Sequence, residues 1–231
     1  MMKNLITIFL LGMTAFGVTL QSCNQIREKT SETESGEVTV DNEAMQSPNQ
    51  LTIQNLHDAY KGETTASAKY AAYSIKAAAE GHPEIALLFK AASGAELIHA
   101  SNHKVVLIRM GETVPEIVPE FAVKSTSENL KESIEGESYE FNTMYPEFIK
   151  NANASGNYMA QISFTYAYKV EQKHRDFYIE ALTALETGRD SAMAKVYFLC
   201  PTCGNTYAST APSRCEISMT DSKLFIKVTT L

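Results

Sequence analysis

The sequence predicts a mainly α-helical protein: four long helices packed as a bundle, followed by a small β ribbon shaped to hold a metal ion. Three observations carry this. Four segments with apolar residues at steps of three and four run 28 to 31 residues each, separated by glycine and proline breakers. Every one of the four places a glutamate near the middle of its apolar row. The last 33 residues abandon the helical pattern and carry three of the four cysteines.

The elements follow in chain order. Lys3 and the apolar run "LITIFLLGMTAFGVTL" precede Leu20-Gln21-Ser22-Cys23. Sixteen apolar residues fit a secretory leader better than a membrane span of about 20. The cysteine after a small residue resembles a lipoprotein processing site, so residues 1–22 are expected to be removed and Cys23 lipidated. The chain is then expected to be exported and anchored to a membrane by its lipid, facing the periplasm or the cell exterior. Only Lys3 is lost with the leader, leaving 27 acidic against 19 basic residues, a net of −8. An acidic chain with no basic stripe excludes a nucleic-acid-binding surface. Residues 23–50, rich in Ser, Thr, Glu, Gln and Asn, read as a polar tether.

The bundle is expected over 51–187. Its helices are predicted at 51–80, 83–110, 126–153 and 157–187, roughly 42–46 Å each at 1.5 Å per residue. The connection "GETVPEIVPEFAVKS" (111–125) is far longer than the others and carries two prolines. A long link between the second and third helices is the crossover of a ferritin-like four-helix bundle. Residues 188–198 read as a linker to the ribbon at 199–231.

The apolar rows locate the chemistry. The first helix gives Ile53, Leu56, Tyr60, Glu63, Ala66, Tyr70, Tyr73 and Ala77; the second gives Ile85, Leu88, Ala92, Glu96, His99, His103 and Val106. The third gives Leu130, Ile134, Glu137, Phe141, Met144 and Phe148, with Glu140 one turn away. The fourth gives Ile162, Tyr166, Val170, His174, Tyr178 and Leu182, with Glu171 beside Val170. Isolated buried carboxylates each cost several kcal/mol, so four at similar depth require a shared compensation, which a pair of divalent cations provides. Glu96-x-x-His99 and Glu171-x-x-His174 each set a carboxylate and an imidazole one turn apart. Two such units, plus a Glu from each remaining helix, form the ligand set of carboxylate-bridged di-iron bundles. Glu132 and Glu135 share the spacing but fall off the row and read as solvated. His103, four residues after His99, reads as a packing or supporting residue with a ligand role as the alternative, and His57 and His82 read as solvent-facing.

At this point the chain resembles the rubrerythrin family over about residues 51–227. The resemblance rests on "GETTASAKY" (62–70), "GAELIHA" (94–100), "EGESYEFNTMYPEF" (135–148), "EQKH" (171–174) and "CPTCG" (200–204). It implies that Glu63, Glu96, His99, Glu137, Glu140, Glu171 and His174 hold two iron ions, with Glu96 and Glu171 bridging. His99 and Glu140 would alternate as ligands to one iron as its oxidation state changes. Tyr70 and Tyr145 would flank the site as catalytic phenols. It further implies a homodimer and the reduction of hydrogen peroxide to water, with electrons arriving through a rubredoxin-like iron site.

That ribbon departs from its pattern. A rubredoxin site holds one iron with four thiolates on two knuckles. The first knuckle, Cys200 to Gly204, is intact. The second reads Cys215-Glu216-Ile217-Ser218-Met219, without its proline, last cysteine and glycine. Three readings stand side by side: an iron held by Cys200, Cys203, Cys215 and the Ser218 oxygen; a structural zinc on the three thiolates; or a site without metal. Three function classes also stand: a di-iron peroxidase drawing on the ribbon or an unidentified external electron donor, a ferroxidase that handles iron, and a metal-stabilised lipoprotein that docks a partner without catalysis.

Overall fold

A computed structural model describes residues 46–229. The leader, Cys23 and most of the tether lie outside the described residues. Five α-helices and three short strands follow in order: α1 Pro48–Ala79, α2 Pro83–Arg109, α3 Thr126–Tyr139, α4 Tyr145–Ala154, α5 Tyr158–Glu186, β1 Tyr197–Leu199, β2 Thr206–Ala208 and β3 Ile226–Val228. Helices α1, α2, α3–α4 and α5 are the four rods of the bundle, and the strands form one antiparallel sheet in the order β2-β1-β3.

Local chemistry sets the helix ends. Ser47 caps α1 in a capping box with Gln50, and Pro48 takes the first turn, where its missing N–H is harmless. The helix therefore begins three residues before the expected Leu51. Ser125 and Glu128 form a second capping box at α3, and Asn157 caps α5 through the Ala160 N–H. Gly81, Gly111, Gly156 and Gly188 adopt positive φ just past the rods. The long link after α2 contains no helix or strand. Its far end is held where Glu80, at the end of α1, accepts from the Thr126 N–H (2.7 Å) and hydroxyl (2.6 Å) at the start of α3.

The third rod corrects the expectation of one unbroken helix over 126–153. Between α3 and α4, residues Glu140–Met144 form a π turn in which the Tyr145 N–H reaches back to the Glu140 carbonyl. Pro146 supplies the reason: it has no N–H for the ladder, and its ring excludes the carbonyl four residues back. The wider turn rotates the following face by one residue. Tyr145 is fully buried, while Phe141 and Met144, expected in the core, are only half-buried.

The fourth rod brings a second correction. Ile162, placed on the core row, is 51% exposed, and its neighbours Ser163 and Phe164 are buried. A row drawn in strict steps of four overshoots the 3.6-residue turn by about 40° per step, so its ends leave the face. Two polar readings also change. His82 does not simply face solvent, since its Nδ1 lies 2.8 Å from the Asp190 carboxylate. Glu132 accepts from the Tyr73 hydroxyl and from Lys124, both at 3.0 Å. Its fellow Glu135 is exposed, as expected.

Among the described residues the bundle core has two apolar clusters, and a third surrounds the ribbon cysteines. One gathers Tyr70, Tyr73, Phe89, Leu130 and Tyr178 together with Tyr197 and Leu199 of β1. The other gathers Leu56, Tyr60, Leu107, Tyr145, Phe148 and Phe164. Strand β1 straddles the expected boundary between linker and ribbon, because its alternate residues belong to the bundle core. Its close approach is allowed by Gly94, where a Cβ would meet Leu199 Cδ1 at 2.8 Å.

The Glu80 cap has a pH signature. Its carboxyl is held down to about 2 from 4.5, first by the Thr126 hydroxyl and then by the Thr126 N–H. A depressed folded-state carboxyl stabilises fully above its unfolded value and loses that contribution as pH falls through the folded one. Glu80→Ala should therefore lower unfolding stability by about 1 kcal/mol at pH 7, the usual worth of a capping side chain. In urea titrations the gap to the parent protein should shrink between pH 4.5 and 2. A gap independent of pH would rule out the ionised cap.

Candidate metal centre

All four rods contribute to one buried polar cluster between the two apolar ones. Glu63 from α1, Glu96 and His99 from α2, and Glu171 from α5 bring ligand atoms within 4.8 Å of one another. Glu96, Glu171, Glu137 from α3 and His174 from α5 form a second such group. All are essentially without solvent exposure. Glu96 and Glu171 belong to both groups, and the geometry is reciprocal. His99 Nδ1 lies 2.9 Å from Glu96 Oε2 and 2.9 Å from Glu171 Oε1. His174 Nδ1 lies 2.9 Å from Glu96 Oε1 and 3.1 Å from Glu171 Oε2. Each shared carboxylate thus turns one oxygen toward each imidazole, as two bridging ligands between two ions would.

Both imidazoles are locked with Nδ1 inward. His99 Nε2 lies 3.1 Å from the Cys203 carbonyl, which can only accept, so this nitrogen carries the proton. His174 Nε2 lies 3.0 Å from Thr206 Oγ1, and that hydroxyl gives its own proton to the Gly204 carbonyl. It too must accept, so Nε2 of His174 is the donor. With the proton held at Nε2, a metal ion would meet the Nδ1 lone pair; without one, burial is outweighed by Glu171 and Glu96, which push both imidazoles up, His174 to about 9.

The cluster fits a pair of cations and is badly balanced without them. Glu63 Oε2, both oxygens of Glu96, Glu171 Oε1 and His99 Nδ1 are buried with no hydrogen-bond partner. Native proteins rarely leave such atoms unpaired; of the six such atoms among the described residues, these five belong to the two ligand groups and the sixth is the Tyr178 hydroxyl. Burial pushes the Glu63 carboxyl well up, helped by the charges of Glu140, Glu171 and Glu96. Glu137 is raised in the same way, by burial and then by Glu171 and Glu96. The four carboxylates of the two groups match the charge of two divalent ions, and their oxygen-rich, two-imidazole set suits iron.

The remaining candidates fall around this cluster. Tyr70 donates to Glu137 Oε1 at 2.6 Å, and Tyr145 donates to Glu63 Oε1. Glu140 opens the π turn, half-buried and outside both groups. Gly204, read from sequence only as the end of the first knuckle, also meets the centre: a Cβ there would sit 2.4 Å from His99 Nε2. Ser163, whose hydroxyl lies 2.8 Å from His103 Nδ1, was also missed. A hydroxyl one residue away from an apolar row leaves no periodic signal.

The ribbon keeps its shape despite the lost residues. The Cys200, Cys203 and Cys215 thiols are buried within 4.8 Å of one another and are unpaired as disulfides. Ser218 Oγ stands 3.2 Å from Cys200 Sγ, at the corner where a fourth thiol is expected. Thr220 donates its hydroxyl proton to Thr202 (2.7 Å), so between Ser218 and Thr220 (2.8 Å) the donor is Ser218. A hydrogen bond from the Cys203 thiol leads in drawing Cys200 down to about 4, toward the thiolate a metal needs. Three thiols and one oxygen can hold a single iron or zinc ion.

The two knuckles have the same backbone. The Gly204 N–H donates to the Cys200 carbonyl and the Met219 N–H to the Cys215 carbonyl, each at 2.9 Å. Gly204 has φ +75° and Met219 φ +62°, so a methionine holds the left-handed position. That conformation costs a non-glycine residue about 1–2 kcal/mol, partly offset by the greater unfolded freedom of glycine. Met219→Gly should therefore raise stability by up to about 1 kcal/mol, seen as a rise of about 2 °C in the melting temperature. A lower melting temperature would show that the Met219 side chain holds the knuckle in some other way.

Comparisons with known proteins agree with this geometry. The sequence model of the rubrerythrin family matches residues 54–182. Nigerythrin of Nitratidesulfovibrio vulgaris is 35% identical over 168 residues, 72% of this chain and 81% of the relative. Rubrerythrin-2 of Clostridium acetobutylicum is 32% identical, over 73% of this chain and 92% of its own length. Among solved structures, fully reduced, all-ferrous nigerythrin superposes with a TM-score of 0.69 at 32% identity, covering 82% of this chain and 91% of that one. A bacterioferritin of Rhodobacter capsulatus, at 17% identity and a TM-score of 0.55, shares the fold.

Proposed function

The chain belongs to the rubrerythrin family of di-iron proteins, and from that premise we propose that it is a non-haem peroxidase that reduces hydrogen peroxide to water. The observation that carries the proposal is the pair of overlapping ligand groups with Glu96 and Glu171 in common. Glu63, Glu96 and His99 would hold one iron with Glu171, and Glu137 and His174 the other, with Glu140 in reserve beside the π turn. When bound, the iron pair supplies the two electrons that break the O–O bond.

The chain's own residues do the rest. The buried cluster keeps bulk water from the reacting oxygens. Tyr145 and Tyr70 hold the Glu63 and Glu137 carboxylates by their protons, which fixes these ligands and keeps two phenols at the edge of the cluster. Carboxylate ligands favour the more highly charged oxidised state, so five of them suit a centre that cycles between oxidation states.

The position of the ribbon supports peroxide turnover over iron handling. Iron storage needs no electron delivery, whereas steady peroxide reduction does. Here Cys203, one of the three clustered thiols, contacts the centre through its own carbonyl and the His99 N–H. Asn102 Nδ2 donates to the Thr202 carbonyl at 2.9 Å, and Lys173 bridges to Asn205 and Glu216. In this reading Cys200, Cys203, Cys215 and Ser218 would hold the ribbon ion, which would supply one-electron chemistry between an external donor and the centre. The leader and Cys23 would place that chemistry outside the cytoplasm, at a membrane surface.

The test is peroxide consumption by iron-loaded protein with a reduced rubredoxin or a chemical reductant as donor. Steady turnover is expected, and Glu137→Ala should reduce it by at least about a hundredfold, the effect of removing a group that acts only in the reacting complex. Iron uptake and oxidation without sustained peroxide turnover would instead establish the ferroxidase reading.

A further inference from the structure

Beside the cluster lies a chain of hydrogen bonds that the ligand sets do not use. It begins at Ser163 of α5, whose hydroxyl lies 2.8 Å from His103 Nδ1. His103 Nε2 lies 3.2 Å from the Tyr145 hydroxyl, which in turn bonds Glu63. Each member comes from a different rod: Ser163 from α5, His103 from α2, Tyr145 from α4 and Glu63 from α1. His103 and Tyr145 have no exposed surface, and Ser163 retains 4%. That small remainder matters, because Ser163 lines a surface groove of about 190 Å³ between α2 and α5, with Asn102, Met159, Ile162 and Tyr166. The other end of the chain is a carboxylate of the metal centre.

The direction of every proton in this chain can be deduced. With Glu63 ionised as a metal ligand, the Tyr145 hydroxyl is the donor of their shared bond. Its oxygen then accepts from His103, so His103 Nε2 carries a proton. Burial drives His103 down to about 3, so the ring is neutral and Nδ1 is bare. A bare Nδ1 accepts from the Ser163 hydroxyl. All three donors therefore point inward, from the groove toward Glu63.

We infer that Ser163, His103 and Tyr145 form a proton relay that connects water in the α2–α5 groove to the Glu63 side of the metal centre. The inference rests on the peroxidase reading. In that reaction H2O2 + 2 H⁺ + 2 e⁻ gives 2 H2O: one O–O bond breaks, two O–H bonds form, and the electrons come from the reduced iron pair. The centre is closed to bulk water, so the protons need a path of their own. Tyr145 passes its proton inward and is refilled from His103 Nε2. His103 takes the Ser163 proton at Nδ1, and Ser163 is refilled by groove water. One passage leaves each ring and hydroxyl with its proton on the opposite side, and rotation of the hydroxyls and the imidazole resets the chain. His103 and Ser163 are positioning and conducting residues, since neither touches the reacting atoms.

Two measurements on the full chain test this. The first needs no substrate: nitrogen NMR of zinc-loaded protein with labelled histidine, the diamagnetic zinc standing in for iron and keeping Glu63 ionised. His103 is expected as a single neutral tautomer, protonated at Nε2, with its Nδ1 resonance displaced in Ser163→Ala. An Nδ1-protonated ring or an imidazolium would overturn the relay. The second is stopped-flow reoxidation of reduced, iron-loaded protein by hydrogen peroxide. Ser163→Ala and His103→Phe should each slow it by roughly tenfold at unchanged iron content, below the 10²–10⁴ of a directly acting acid because groove water substitutes in part. His103→Gly should recover rate when imidazole is added, which a purely structural role would not produce. Parent-like rates in both Ser163→Ala and His103→Phe would overturn the relay. Should the parent protein itself resist peroxide, the peroxidase reading fails. The same variants are then compared in reoxidation by dioxygen, which also takes up protons, and equal rates there refute the relay.

Discussion

Negative charge in a place without water is the constraint on which the rest of this structure depends. Four carboxylates converge in the middle of the bundle with almost no exposed surface, and a fifth stands at the π turn. Single buried charges are strongly destabilising, and breaking a balanced set is worse than never having one. The bundle gathers these groups from all four rods, so a cation pair at the centre ties the rods together. The chain supplies what partial relief it can. Burial pushes the Glu96 carboxyl up, but His174 and His99 outweigh it and hold it down to about 2. The phenols of Tyr70 and Tyr145 give one proton each to Glu137 and Glu63.

The ribbon takes part in the same arrangement. Its Cys203 carbonyl and Thr206 hydroxyl fix the outward nitrogens of His99 and His174, which fixes the inward ones as metal donors. The contact is close enough that position 204 has no room for a Cβ. Side chains hold the docked position: Lys173 of α5 lies 4.7 Å from the centre of the Tyr207 ring, and Phe177 meets Tyr197 edge-on. Docking the ribbon and orienting the two ligand imidazoles are therefore parts of one packing arrangement.

The rods were legible because burial imposes a period on sequence. Glycine breakers, the long proline-bearing link and the mid-row glutamates could be read directly, and the two E-x-x-H units marked the groups that meet in the centre. Features that break the period were not legible. The π turn rotates the row at Glu140–Met144, exchanging Tyr145 for Met144 in the core. A strict four-residue step carried Ile162 off the buried face. Pairings across the fold, such as His82 with Asp190 or Glu132 with Tyr73, depend on distances that the chain order does not encode. The second knuckle is the opposite case: its sequence has lost three of its marks, yet Met219 keeps the backbone turn that glycine would otherwise supply. Backbone hydrogen bonds around Cys215 and Thr220 hold that turn in place.

The central claim is that two cations, bridged by Glu96 and Glu171, balance the charge in the bundle. Anomalous diffraction at the iron edge from crystals of iron-loaded protein tests it most directly. Two iron peaks are expected inside the bundle, one beside His99 and one beside His174, with both carboxylates reaching each of them. A single peak, or an ordered centre with no iron and its carboxylates bridged by protons or water, would contradict it.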